Sequence, residues 1–127
     1  MRPLASLFVC LLCLAPPAAS QQSPADTGDV FLANVVQERP QVLSSPQLHY
    51  PDLMRQAGIE GRVVVEFIVD TLGRAEPASI KVVQSTNSAF DQDAKAHVRR
   101  AMFRPGRNHG RPVRVLLALP IDFRIRR

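Results

Sequence analysis

Beyond residue 20 the chain has no cysteine; its only two, Cys10 and Cys13, lie near its start. Past them, neither a disulfide nor a thiol nucleophile is available. Neither cysteine follows the small-residue pattern of a lipoprotein signal, so no lipid anchor is expected. The three histidines, His49, His97 and His109, stand at no metal-ligand spacing. Asp93 and His97 are four apart on a helical pattern, which suits a dipole-matched first turn and a surface histidine as well as a shared ligand. Ser85 and Ser88 have no base or oxyanion glycine motif beside them. The "GRNHG" stretch lacks the lysine and the strand-to-helix context of a phosphate loop. No carboxylate pair stands out as acid and base. No enzyme is expected, and no metal or cofactor.

Long apolar runs are also missing. The one candidate, Leu4 to Ala15, is shorter than the ~20 residues that span a bilayer. Arg2 precedes it, and small residues stand before Gln21, as in a cleaved secretory signal. Pro16 and Pro17 weaken the other reading, an uncleaved membrane anchor. Residues 1–20 are therefore read as a signal peptide and the rest as periplasmic, with inner-membrane anchoring as the alternative.

Charge is present but uneven. From His97 onward there are nine arginines against one acid, Asp122, whereas residues 21–96 hold six basic and ten acidic groups. A basic half suits an acidic partner or an anionic polymer such as peptidoglycan, or is a solvated arginine-rich face. Nucleic acid is not expected as a partner of an exported protein.

Residues 21–47 read as a flexible or extended arm, interrupted by Pro40 and Pro46, with a short strand in Val30 to Val36. Residues 48–127 read as the compact domain. Pro51 suits the start of a short helix on which Leu53 and Ala57 share a face, and Gly58 suits its left-handed end. Alternation in "GRVVVEFIVD" predicts a strand, "DTLGR" a turn at Gly73, and "ASIKVVQST" a second strand with Ile80 and Val82 inward. Phe90, Ala94, Val98 and Met102 recur every four residues, predicting a long helix from Asn87 or Ser88 to Pro105, with arginines through Arg104 in its last turn. The closing stretch alternates strictly, with Val113, Val115, Leu117, Leu119, Ile121 and Phe123 on one face.

Pro120 interrupts that closing strand. Proline cannot donate to a ladder, so its nitrogen must face away from the neighbouring strand. The same parity turns the backbone groups of Arg114, Leu116, Ala118, Pro120, Asp122 and Arg124 outward. Such a row either templates an added strand or, with its missing donor, protects an edge from aggregation.

The order and spacing of "YP" at 50–51, "GIEGRVVVEFIVD" at 58–70, the "LGR" turn and "VRRAMFRPGR" at 98–107 resemble the TonB C-terminal domain family. A position that often holds tryptophan there is Ala101 here, and the chain has no tryptophan at all. The resemblance implies an α+β, two-layer TonB/TolA C-terminal-like fold: a three-stranded antiparallel sheet with helices on one face and the last strand at an edge. It implies strand addition of the TonB-box peptide of a TonB-dependent outer-membrane transporter along that edge, with Gln47, Leu48, His49 and Tyr50 nearby. An ExbB/ExbD-type motor is implied only if residues 1–20 remain as an anchor. A structural domain that forms a homodimer or binds cell wall, without energy coupling, is the alternative.

Overall fold

A computed structural model describes residues 28–126 of the protein. The signal-like segment 1–20, residues 21–27 of the arm and Arg127 lie outside them. No helix among the described residues is long and apolar enough to cross a membrane.

The strongest alternating stretches form the two long strands. β3 spans Gly61–Val69 and β7 spans Arg111–Phe123. They pair antiparallel from Gly61 opposite Phe123 to Val69 opposite Val115. Val63, Val65, Phe67 and Val69 of β3 are fully buried, as are Val115 and Phe123 of β7. β4, Lys81–Ser85, pairs antiparallel with the other side of β3. The turn between β3 and β4 depends on Gly73, whose φ of 83° is costly for any other residue. Ile80 and Val82 pack against the core, as the alternation predicts.

The first helix, α1, is Asp52–Gln56, with Pro51 just outside it. Gly58 follows at φ 68°. Met54, not Leu53, packs on the core; Leu53 is exposed. The second helix, α2, is Asp91–Arg100, entered through a turn of 3₁₀ helix at Ser88–Phe90. The Asn87 side chain caps that turn by accepting the Ala89 N–H at 2.9 Å. Phe90, Ala94 and Val98 are buried beneath the sheet, giving the expected two layers.

The helix ends earlier than its four-residue spacing predicts. At Ala101 the backbone becomes extended, and Met102–Arg104 forms a strand, β5. Burial there alternates: Ala101 and Phe103 are buried, Met102 and Arg104 exposed. β5 pairs antiparallel with β2, Gln41–Ser44, in a separate two-stranded sheet. A short strand β6, Gly106–Asn108, forms a hairpin with the start of β7.

The α+β class and the helix-covered sheet are as expected, but the main sheet has five strands, not three. The arm supplies one of them. β1, Val30–Leu32, lies parallel to β7, in register with Arg114 to Leu116. The arm is also held where Glu38 and Arg107 exchange backbone hydrogen bonds of 3.0 and 2.9 Å. Val36 and Pro40 are buried on either side of that point.

Candidate functional site

The orientation of the β7 backbone follows from its neighbour. Ile68 donates its N–H to Ser79 Oγ at 2.9 Å and accepts from the Glu76 N–H at 2.8 Å. Arg62 donates to Thr86 Oγ1 at 2.9 Å and accepts from the Thr86 N–H at 3.0 Å. Both even-numbered residues of β3 thus turn their backbone groups away from β7. In an antiparallel pair, bonded and non-bonded positions alternate. The bonds between β3 and β7 therefore fall on odd-numbered pairs such as Val65–Leu119 and Val63–Ile121. The even-numbered residues of β7 face outward. Pro120, opposite Val64, removes nothing from the β3–β7 ladder. Pro112 has the same parity and stands opposite Arg107, beside the hairpin turn.

Part of the outward row is already occupied. β1 runs beside Arg114 and Leu116, so the expectation of an edge open along its whole length is corrected there. The Arg114 side chain is also engaged: Nε and Nη2 donate to the two Glu76 carboxylate oxygens at 2.7 and 2.8 Å, and Nη1 to the Gly28 carbonyl at 2.9 Å. Beyond Leu116, no strand among the described residues pairs with the outward side of β7. Ala118, Pro120 and Asp122 are exposed there, and Arg124 continues beyond the strand end. This open run offers the carbonyls of all four residues but the N–H of only Ala118, Asp122 and Arg124, because of Pro120.

The segment before α1 reaches the far end of this run. Gln47, Leu48 and Tyr50 line one groove with Asp122 and Arg124, together with Arg55, Ile125 and Arg126. His49 lines the adjoining hollow with Asp52 and Arg100. Tyr50 is fixed by an edge-to-face contact with Phe123 at 5.8 Å and another with Phe90 at 5.7 Å. Its hydroxyl donates to the Ile59 carbonyl. Desolvation, and secondarily Glu60, push its pKa up, so Tyr50 is a neutral donor. The end of β7 is pinned as well, with the Ile125 N–H donating to Glu60 Oε1 at 2.8 Å.

Two histidines tie the same segment to α2. His49 Nδ1 lies 2.8 Å from Asp93 Oδ1, and His97 Nε2 lies 2.8 Å from Ser45 Oγ. Asp93 and His97 therefore serve two separate tethers rather than one shared ligand. His97 Nδ1 is buried with no partner among the described residues, and burial followed by the Arg100 charge lowers the pKa of this histidine.

Charge at the groove is dominated by arginine. Asp122 is engaged by Arg62 through bonds of 2.6 and 3.1 Å, which hold its carboxyl below the usual range. Arg55 is paired with Asp52. Of the residues singled out in the sequence, the structure gathers Gln47, Leu48, Tyr50, Asp122 and Arg124 at one groove, and places Arg114 and Leu116 under β1 at the other end of the row. The sequence points to a short strand in Val30 to Val36, where β1 lies, but not to its pairing with β7, nor to Arg55 and Arg126 on the groove wall. Three residues of β1 carry no measurable period, whereas the parity of Pro112 was available to confirm that of Pro120.

The family described as Gram-negative bacterial TonB protein C-terminal matches residues 46–125. Among solved structures, the solution structure of the Pseudomonas aeruginosa TonB C-terminal domain is 28% identical, with a TM-score of 0.57. The match covers 69% of this chain and 88% of that one. The TonB2 protein of Vibrio anguillarum shares the fold at 24% identity and a TM-score of 0.50, over 68% of this chain and 82% of that one. No curated protein matches.

Proposed function

The chain belongs to the family of Gram-negative bacterial TonB C-terminal domains, and from that premise we propose that it is a periplasmic binding module for outer-membrane transporters. In this reading, a transporter's TonB-box peptide adds as a strand to the outward side of β7, with its end in the groove of Gln47, Leu48 and Tyr50. The protein acts by binding and performs no covalent chemistry. The observation that carries the reading is the backbone row from Ala118 to Arg124, which no strand among the described residues pairs with and which ends at a groove lined by the segment before α1. Main-chain bonds of an added strand supply affinity, and flanking pockets supply selectivity.

Ala118→Pro tests this with little risk to the fold, because the N–H it removes is not used by β3. Loss of one hydrogen bond of about 0.5–1.5 kcal/mol predicts a roughly twofold to tenfold weaker Kd for synthetic TonB-box peptides. Calorimetric titration reads this. Unchanged affinity in a folded variant rejects edge docking. An unpaired edge also accepts a second copy of the chain, and sedimentation equilibrium separates that outcome from peptide capture. For energy coupling, mass spectrometry of the protein recovered from cells is decisive: a chain starting at Gln21 has lost the segment that would anchor it beside a motor.

A further inference from the structure

We infer that β1 is an intramolecular occupant of the docking row, one that an incoming peptide must displace. The inference rests on the edge-docking reading above. The uninterrupted part of the row runs from Arg114 to Ala118, whereas beyond it Pro120 omits a donor. β1 covers the first two outward residues of that uninterrupted part.

The parallel register identifies how β1 holds on. Phe31 stands opposite Val115, so its N–H and C=O turn toward β7, between Arg114 and Leu116. Val30 and Leu32 are 41% and 54% exposed, and Phe31 alone is half-buried. Arg114 holds the Gly28 carbonyl just before the strand. Directly after it the chain turns away, with the Val35 N–H donating to the Leu32 carbonyl at 3.0 Å. A strand of three residues anchored by one partly buried side chain is weakly held. The clamp at Glu38 and Arg107 keeps the rest of the arm in place when β1 leaves.

Each outward backbone group on this flank meets one strand at a time. A peptide using Arg114 and Leu116 therefore excludes β1, and a peptide confined to Ala118–Arg124 meets the gap at Pro120. Peptide affinity is consequently lowered by the fraction of molecules in which β1 is docked.

A reversible lock tests this. Leu32 and Leu116 are register partners, and neighbouring strands place paired Cα atoms about 5 Å apart, within the reach of a disulfide. The full chain carries Leu32→Cys and Leu116→Cys, with Cys10→Ser and Cys13→Ser to remove the native thiols. Synthetic TonB-box peptides are the probe. The oxidised form is expected to bind at least tenfold more weakly than the same protein after dithiothreitol. In a second variant, Phe31→Pro removes the N–H facing Arg114 and is expected to bind several-fold more tightly than wild type. Equal binding by oxidised and reduced forms overturns displacement and leaves edge docking standing, as does unchanged or weaker binding by Phe31→Pro. Absence of binding by every form overturns both. A doubled mass for the wild-type chain in sedimentation, abolished by Phe31→Pro, overturns occupancy within one molecule in favour of exchange between copies.

Discussion

Arg62 and Asp122 face each other across β3 and β7 at a position where the two strands exchange no backbone bonds, and their side chains are joined by hydrogen bonds of 2.6 and 3.1 Å. Side chains approach most closely at such positions. The pair therefore sits on the sheet surface beside the open run of β7, at the mouth of the groove.

The Arg62 hydrogen bond holds the Asp122 pKa below the ordinary carboxylate value, with the Arg62 and Arg124 charges acting in the same direction. A depressed folded pKa contributes stability above the unfolded value of about 3.9, and that stability is lost as pH falls through the folded value. A carbon-detected titration of Asp122 should show a midpoint below that of an unfolded aspartate. Arg62→Ala should move it upward. An unmoved midpoint shows that the hydrogen bond does not govern the carboxylate.

His97 responds in a different pH window. Its pKa is lowered by burial and by Arg100, with Ser45 on one ring nitrogen and no acceptor among the described residues on the other. The neutral ring is favoured in the fold. Its contribution is complete above the unfolded value of about 6.5 and is lost as pH falls through the lower folded value. Thermal unfolding should therefore shift downward as pH falls below about 6.5, and His97→Gln should flatten that dependence. An equal slope in the variant refutes the assignment.

Phe123→Ala should be among the most damaging single changes. Phe123 is fully buried, stacks on Phe90 at 4.4 Å and supports Tyr50. Truncating a buried phenylalanine costs about 3–5 kcal/mol, a large part of the roughly 5–15 kcal/mol available to a domain. Urea unfolding measures the loss. Any surviving fold should also bind peptide less well, because Tyr50 loses one of its two aromatic supports.

Pro120→Ala should leave urea stability within about 0.5 kcal/mol, since the site is exposed and outside the β3 ladder. It restores an outward donor. Peptide affinity should rise roughly twofold to tenfold, and self-association at high concentration should increase. A clear gain of stability instead would show that the nitrogen at position 120 faces β3, where the restored N–H would add a bond to the ladder.

The parts of the fold that the sequence made legible are those governed by local periodicity. Odd-numbered apolar residues in β7, with Pro120 among the even ones, revealed both its buried face and the direction of its outward groups. The end of α2 was misread because Met102 extends a helical four-residue spacing, while the shorter alternation from Ala101 to Arg104 marks a strand. Distinguishing the two depends on β2, which lies some sixty residues earlier in the chain. β1 itself was legible as a short strand in the arm, but its parallel pairing with Arg114–Leu116 is a long-range event with no local signature. The groove was legible only in part: the family resemblance put Gln47 to Tyr50 near the edge of β7, but nothing in the sequence joined them to Asp122 and Arg124 in particular, and Arg55 and Arg126 reach the groove only through the packing of α1 and the strand end.

The two backbone bonds between Glu38 and Arg107 divide the arm into parts that need not open together. On one side β1 is short and half in water; on the other, β2 is joined to β5, whose middle residue is the buried Phe103. Local opening follows such divisions. In native-state hydrogen exchange, the amide of Phe31 should therefore lose its proton well before that of Arg107, so that the molecule can uncover its edge repeatedly while the sheet beneath stays closed to solvent.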